Sequence, residues 1–320
     1  MTSTITNTGV SWSQKPCTIL NGIANANPKE KISLTGSVLN CCRNVVHSMA
    51  YFCRSNARPL EPLKMFAFIS VPMRIAAIVS TVFSFKNSSR NEKIDSALDI
   101  SAGVGTVTGG ISTAAGGLAG AGAVGVKSIA WASPLGIIGS VFSCFDIILT
   151  TKKLIEGCRF SKELKGAAAF GKSAEGGILN DYKNVRELIE TKQSKENSFI
   201  SKHFDISPKV LIASMKRIED TATEIFATGD FDKIAHCNKA LKSTMETLVD
   251  RVTATKNSKI YSIARNVLGL IGFGLFFSPL IAVGFATVAV NSVWSVADII
   301  GKNISRNRFE KQLETMEQAL

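Results

Sequence analysis

The sequence predicts an all-α protein whose apolar helices pair into membrane-associated hairpins, duplicated along the chain, with a polar helical segment between the copies. Three observations point there: long stretches carry no charged side chain, basic residues crowd the ends of those stretches, and three short blocks recur in the same order. Of 320 residues, 45% are apolar and only 19% charged, below the usual quarter, and mean hydropathy is positive at +0.18. That balance excludes a disordered chain and favours contact with lipid. The net charge of +12 implies an anionic partner surface.

Residues 1–60 form a polar N-terminus followed by one helical stretch at 33–54. The first fourteen residues, MTSTITNTGVSWSQ, have no charge and no apolar core, so they are not a Sec signal peptide. Their plain role is a polar tail; their sharper one is a compositional type III secretion signal. Cys41 and Cys42 suit small helical hydrophobes better than lipid acceptors. The seven cysteines include no C-x-x-C pair, which indicates reduced thiols and no zinc site.

Residues 61–164 hold the first hydrophobic region. Residues 65–85 are apolar apart from Arg74 and are expected to kink at Pro72. Residues 100–126 and 128–145 are uncharged, and Ser133-Pro134 marks the turn of the first hairpin, returning from Leu135 to Thr151. Gly105 and Gly109, like Gly116 and Gly120, stand at G-x-x-x-G spacing. Such glycines either permit close helix approach in lipid or loosen the helix, and the spacing leaves both open.

Residues 165–258 read as a polar helical segment. Ser207-Pro208 starts a helix carrying Leu211, Met215, Ile218, Ala222 and Ile225 on one face. Gly229 ends it, Asp230 caps the next, and Ile234, Leu241, Met245 and Leu248 form that helix's stripe.

Residues 259–320 hold the second hairpin and a basic C-terminal helix. The uncharged run 266–297 is too long for one straight span, and Ser278-Pro279 divides it into an ingoing arm from Ile260 and a returning arm to Ile300. The blocks SPLGIIG (133–139), SVFSCFDII (140–148) and RFSKEL (159–164) recur as SPLIAVG (278–284), SVWSVADII (292–300) and RFEKQL (308–313). Internal duplication accounts for the shared order if insertions are accepted. Asp146 and Asp298, at equivalent places, are expected near helix ends at the interface.

The flanking cations Lys152, Lys153, Arg159, Lys302, Arg306 and Arg308 are expected to face anionic lipid, all on one side if both hairpins enter from it. No nucleic-acid-binding signature appears, so membrane lipids are the expected partners. Residues 166–173, GAAAFGKS, match the phosphate-loop pattern that would place Lys172 on a nucleotide. The charged run before them cannot be the buried strand that such a loop leaves. His47, His203 and His236 belong to no catalytic spacing, and neither catalytic residues nor a cofactor or metal are expected. A soluble or peripheral bundle with the apolar hairpins as its core is the alternative architecture.

The uncharged segment 1–14, the lobes around Ser133-Pro134 and Ser278-Pro279, and the basic flanks together resemble the inclusion membrane proteins of chlamydiae. The likeness is architectural. It implies secretion by a type III system, residence in the membrane of the parasite's vacuole, and unidentified host proteins as partners, with homo-oligomerisation also open. The second lobe and the extra apolar segment at 65–85 depart from that pattern.

Overall fold

A computed structural model describes residues 70–85, 90–120, 132–168, 177–275 and 279–320, with single helical residues between Val38 and Met49. Segment 1–14, Gly171, Lys172, Ser173 and Ser278 lie outside the described residues, and of Ser133 and Gly120 only the helical backbone is described. Among the described residues the chain is all-α, without a strand. In order come α1 (Ser70–Phe85), α2 (Arg90–Gly120), α3 (Ala132–Ala167), α4 (Gly177–Lys195), α5 (Phe199–Phe204), α6 (Pro208–Thr228), α7 (Phe231–Leu275) and α8 (Ile281–Gln318).

The four helices α4 to α7 that start the polar region follow their local signals. Ser207 is extended before Pro208, and the carbonyl of Ser207 accepts from Leu211 N at 3.2 Å, so the proline occupies the first turn where no donor is lost. Gly229 ends α6 at φ 68°, a left-handed conformation that glycine takes without a Cβ penalty. Asp230 Oδ1 then accepts from the backbone N–H of Asp232 at 3.2 Å and Lys233 at 3.3 Å, capping α7. The predicted stripes are buried: Leu211, Met215, Ile218 and Ala222 on α6 meet Leu241, Met245 and Leu248 on α7 in one core.

That core does not belong to the polar region alone. Phe160 and Leu164 from the end of α3, and Phe309 and Leu313 from the end of α8, are buried in it. The long helices are therefore continuous where composition suggested breaks: α3 runs through position 164 and α7 through 258. Helix formation needs only backbone hydrogen bonds, so a helix can change its surroundings without ending. At about 1.5 Å per residue, α7 is about 68 Å long, more than twice a bilayer's hydrocarbon core of about 30 Å. One part of it builds the head and the other the apolar half.

In the apolar half α1 lies on α2, α2 on α3, α3 on α7 and α7 on α8. Both hairpins are antiparallel. Lys152 bonds to Asn91 O while Gly136 lies against Ser112, and Arg251 reaches Ser305 while Gly272 lies against Thr287. Pro134 lies in the first turn of α3, and Pro279 lies in the turn just before α8. Pro72 is helical within α1, and the residues before Ser70 that bear on the expected kink lie outside the described residues.

The three recurring blocks occupy matching places. A Cβ on Gly139 would lie 2.9 Å from Gly105 O and 2.9 Å from Gly109 N, and one on Gly284 would lie 3.1 Å from Gly272 O. Each glycine stands five residues after its proline and lets two backbones touch. Seven extra residues between the first two blocks of the second copy are close to two helical turns, so Asp146 and Asp298 still face the same helix, α7. Phe160 and Phe309, from the third block, flank Phe204 with ring centroids at 5.9 and 6.4 Å.

Gly139 differs from Gly109 and Gly116, where an added Cβ meets nothing within 4 Å. Gly139→Ala should therefore destabilise the detergent-solubilised protein by about 1–3 kcal/mol through overpacking. Gly116→Ala should be neutral or stabilising by up to about 1 kcal/mol. Thermal unfolding followed by circular dichroism compares the two, and equal effects would contradict the close approach at Gly139.

Candidate functional site

Two features of the structure bear on function. The first is an apolar exterior. The helices Pro134–Ala167 and Ala282–Gln318 are long and apolar enough to cross a membrane, with mean hydropathy of 1.6 and 1.5 in their most apolar windows. Only 12% and 11% of those windows is buried, whereas the core helix of a soluble protein is mostly buried. Val82, Phe83, Val141, Ile271, Val283 and Val290 are exposed large side chains distributed over α1, α3, α7 and α8.

Charged groups in the same half have polar or ionic partners on neighbouring helices. Arg74 Nη2 meets Asp99 Oδ1 at 2.9 Å, Arg265 Nη1 meets Asp298 Oδ2 at 3.2 Å, and Asn266 Nδ2 donates to Asp146 Oδ2 at 2.5 Å. Arg74, Asp146, Arg265, Asn266 and Asn291 line a polar cavity of about 790 Å³ between the helices. Polar groups inside and apolar groups outside is the arrangement that hydrocarbon solvent imposes. Asp146 and Asp298 are thus not near helix ends, because α3 and α8 continue to Ala167 and Gln318. They sit where the helices pass from the apolar half into the charged junction, facing α7.

The second feature is that junction. Lys202 of α5, with its side chain 5% exposed, meets Asp95 of α2 at 2.8 Å and Glu196 at 3.1 Å and also contacts Glu156 of α3. Lys152 pairs with Asp95 and, at 3.4 Å, with Glu156. Burial opposes the charge of Lys202, but its hydrogen bonds to Asp95 and Glu156 outweigh that and hold its pKa above the usual lysine range. Asp95 is likewise kept ionised: desolvation would raise its pKa, and bonds from Lys152 and Lys202 bring it below the carboxylate norm. This network ties the head to both the first hairpin and the loop before α5.

His203 and Lys259 sit beside it without such compensation. His203 is 2% exposed between Phe160 and Phe199, at centroid distances of 5.3 and 4.6 Å. Burial, with Lys259, Lys202 and Lys192 nearby, lowers its pKa to about 3. Lys259 donates to the carbonyls of Lys202 at 3.0 Å and Lys153 at 3.4 Å; burial and the charges of Lys202 and Lys153 lower its pKa to about 8.

The six flanking cations divide. Lys152 and Lys302 are committed to Asp95 and Asp298, Lys153 lines a cavity, Arg159 and Arg308 are exposed, and Arg306 lies near Asp205 and Glu310. The phosphate-loop match begins at the C-terminal end of α3, with Gly166 exposed and Ala168 buried in the head core. A helix C-terminus presents carbonyls and the negative end of its dipole, which repel a phosphate. His236 is exposed and its neighbour Cys237 fully buried, on different sides of α7. Among the described residues no three His, Cys, Asp or Glu side chains converge as metal ligands. Comparisons with protein families, curated proteins and solved structures find no match.

The buried imidazole gives a pH test. A folded-state pKa of about 3 lies below the unfolded value of about 6.5, so the unfolded state binds the proton first and stability is lost as pH falls through that window. The slope should approach about 1.4 kcal/mol per pH unit between roughly pH 6 and 4. Urea unfolding of the head at graded pH measures it, and His203→Phe, which keeps the aromatic contacts, should flatten the curve.

Proposed function

We propose that this chain is a membrane-inserted protein without catalytic activity, which holds a helical head at the cytosolic face of a bilayer for a protein partner to engage. The observation that carries the proposal is the combination, on the same helices, of exposed apolar side chains outside and paired charges inside. Apolar portions of about sixteen to twenty residues per helix match a hydrocarbon thickness of about 30 Å within a few ångströms. Beyond them, Lys152, Lys153, Lys259 and Lys302 stand at one level, as cations on the cytosolic side do.

Duplication of a helical hairpin fits the matching placement of Gly139 with Gly284, Asp146 with Asp298, and Phe160 with Phe309. The narrower setting, a type III secreted effector in the membrane of a host vacuole with host proteins as partners, draws on the resemblance to chlamydial inclusion membrane proteins and on the composition of residues 1–14. The head offers α6 and the start of α7, where Phe231 is 84% exposed, as surface for such partners. A soluble bundle with the hairpins as its core has less support, because the apolar windows remain largely unburied.

Alkaline carbonate washing tests insertion. The full chain should stay with the membrane pellet, and trypsin added outside sealed vesicles should cut the head while sparing fragments that span 100–151 and 260–300. Release into the supernatant as a soluble monomer would reject insertion.

A further inference from the structure

Where the head meets the apolar half, a cavity of about 660 Å³ opens between α3, α5, α7 and α8. Its α7 wall carries a polar stripe, Arg251, Thr255, Ser258 and Lys259, at spacings that put all four side chains on one helix face. Two of these are unsatisfied: Ser258 Oγ and Thr255 Oγ1 are both shielded from solvent and neither has a hydrogen-bond partner. Buried hydroxyls without a partner are uncommon in folded proteins, and together in one cavity they point to a missing acceptor or donor.

The charges around the cavity supply the sign. Its carboxylates are already used: Asp95 by Lys152 and Lys202, Asp205 by Arg251 at 3.3 Å, and Asp298 by Arg265 and by Lys302 at 2.7 Å. Two cations remain. Lys259 Nζ is held by two backbone carbonyls and faces no carboxylate within ion-pair distance among the described residues; the same is true of Lys153, which lines the opposite wall. Burying two lysines near one another with no carboxylate in direct contact is costly, and a bound anion would offset that cost. Burial, then the charges of Lys202 and Lys153, lower the pKa of Lys259.

We infer that this cavity binds a phosphate monoester, whose dianion would be met by Lys153 and Lys259 and whose oxygens would accept from Ser258 and Thr255. Charge-assisted bonds from ammonium groups and hydroxyl donors suit a phosphate, which offers several acceptor oxygens. The phosphate can come from a phosphorylated inositol lipid headgroup or from free phosphate in the cytosol. The lipid source rests on membrane insertion; the site itself does not. The level of the cavity, at the end of the apolar helices, is where a headgroup lies.

The test uses the full chain in detergent, titrated calorimetrically with inositol phosphate and with inorganic phosphate. Lys259→Met and Ser258→Ala should each weaken binding by about tenfold or more, the loss of one bond to a charged group. Arg308→Gln, at an exposed position, should leave it unchanged. If Lys259→Met loses helical signal, Ser258→Ala decides alone. In a second arm the protein is reconstituted into phosphatidylcholine vesicles with or without phosphatidylinositol phosphate, then repurified and assayed for retained phosphorus. Retention by the wild type and not by Ser258→Ala assigns the lipid as source; binding only in the soluble arm assigns free phosphate. No binding of either ligand, or equal binding by the wild type and both variants, overturns the site. Carbonate resistance scored on the same preparations separates failure of the site from failure of insertion.

Discussion

Apolar side chains leave water wherever the fold gives them a place to go, and this chain gives one only to half of them. In the head, Leu211, Met215, Leu241, Leu248 and their neighbours close over one another and reach zero or near-zero exposure. In the other half the helices touch through glycine, alanine and serine and through paired polar groups, and their large apolar side chains turn outward. Everything else follows from this division. Long helices join the half that closes over its apolar side chains to the half that leaves them exposed, and charges are paired where those helices pass from one to the other.

The crossing explains the junction. Asp95, Glu156 and Lys202 come from α2, α3 and α5, distant in sequence, and meet at the base of the head. A buried ion network of this kind adds little net stability compared with apolar contacts, because desolvation offsets the attraction. It does fix geometry, since any rotation of the head against the hairpins would strand a charge away from its partner. The same level carries Lys259 and Lys153, which have no carboxylate in ion-pair contact among the described residues while the neighbouring Lys152, Lys202 and Lys302 do.

Much of the local structure was legible in the residues. Ser207-Pro208, Gly229 and Asp230 act as helix signals where spacing placed them, and the stripes of α6 and α7 are the head's core. The proline steps near 134 and 279 do separate antiparallel arms, with Pro134 in the helical backbone of α3 and Pro279 in the turn before α8. What was not legible is continuity and long-range pairing. Arg251, Lys256, Lys259 and Arg265 resemble the basic edge of a segment, yet α7 passes through all of them. A sequence window sees a change of composition as an end of structure. Nor could spacing show that Gly139 receives Gly105 and Gly109 while Gly116 stands clear, because that depends on the register between two helices.

The most direct measurement of the central division is solvent accessibility by side chain. Nitroxide labels at Val141, Val290 and Ile271, and at Thr223 and Lys239 on the head, can be compared in reconstituted vesicles by collision with oxygen, which concentrates in lipid, and with a water-soluble nickel complex. The account predicts that the first three collide chiefly with oxygen and the last two with nickel. Nickel-dominated collision at Val141 and Val290, or no collision with either reagent because the side chains are enclosed by protein, would contradict it.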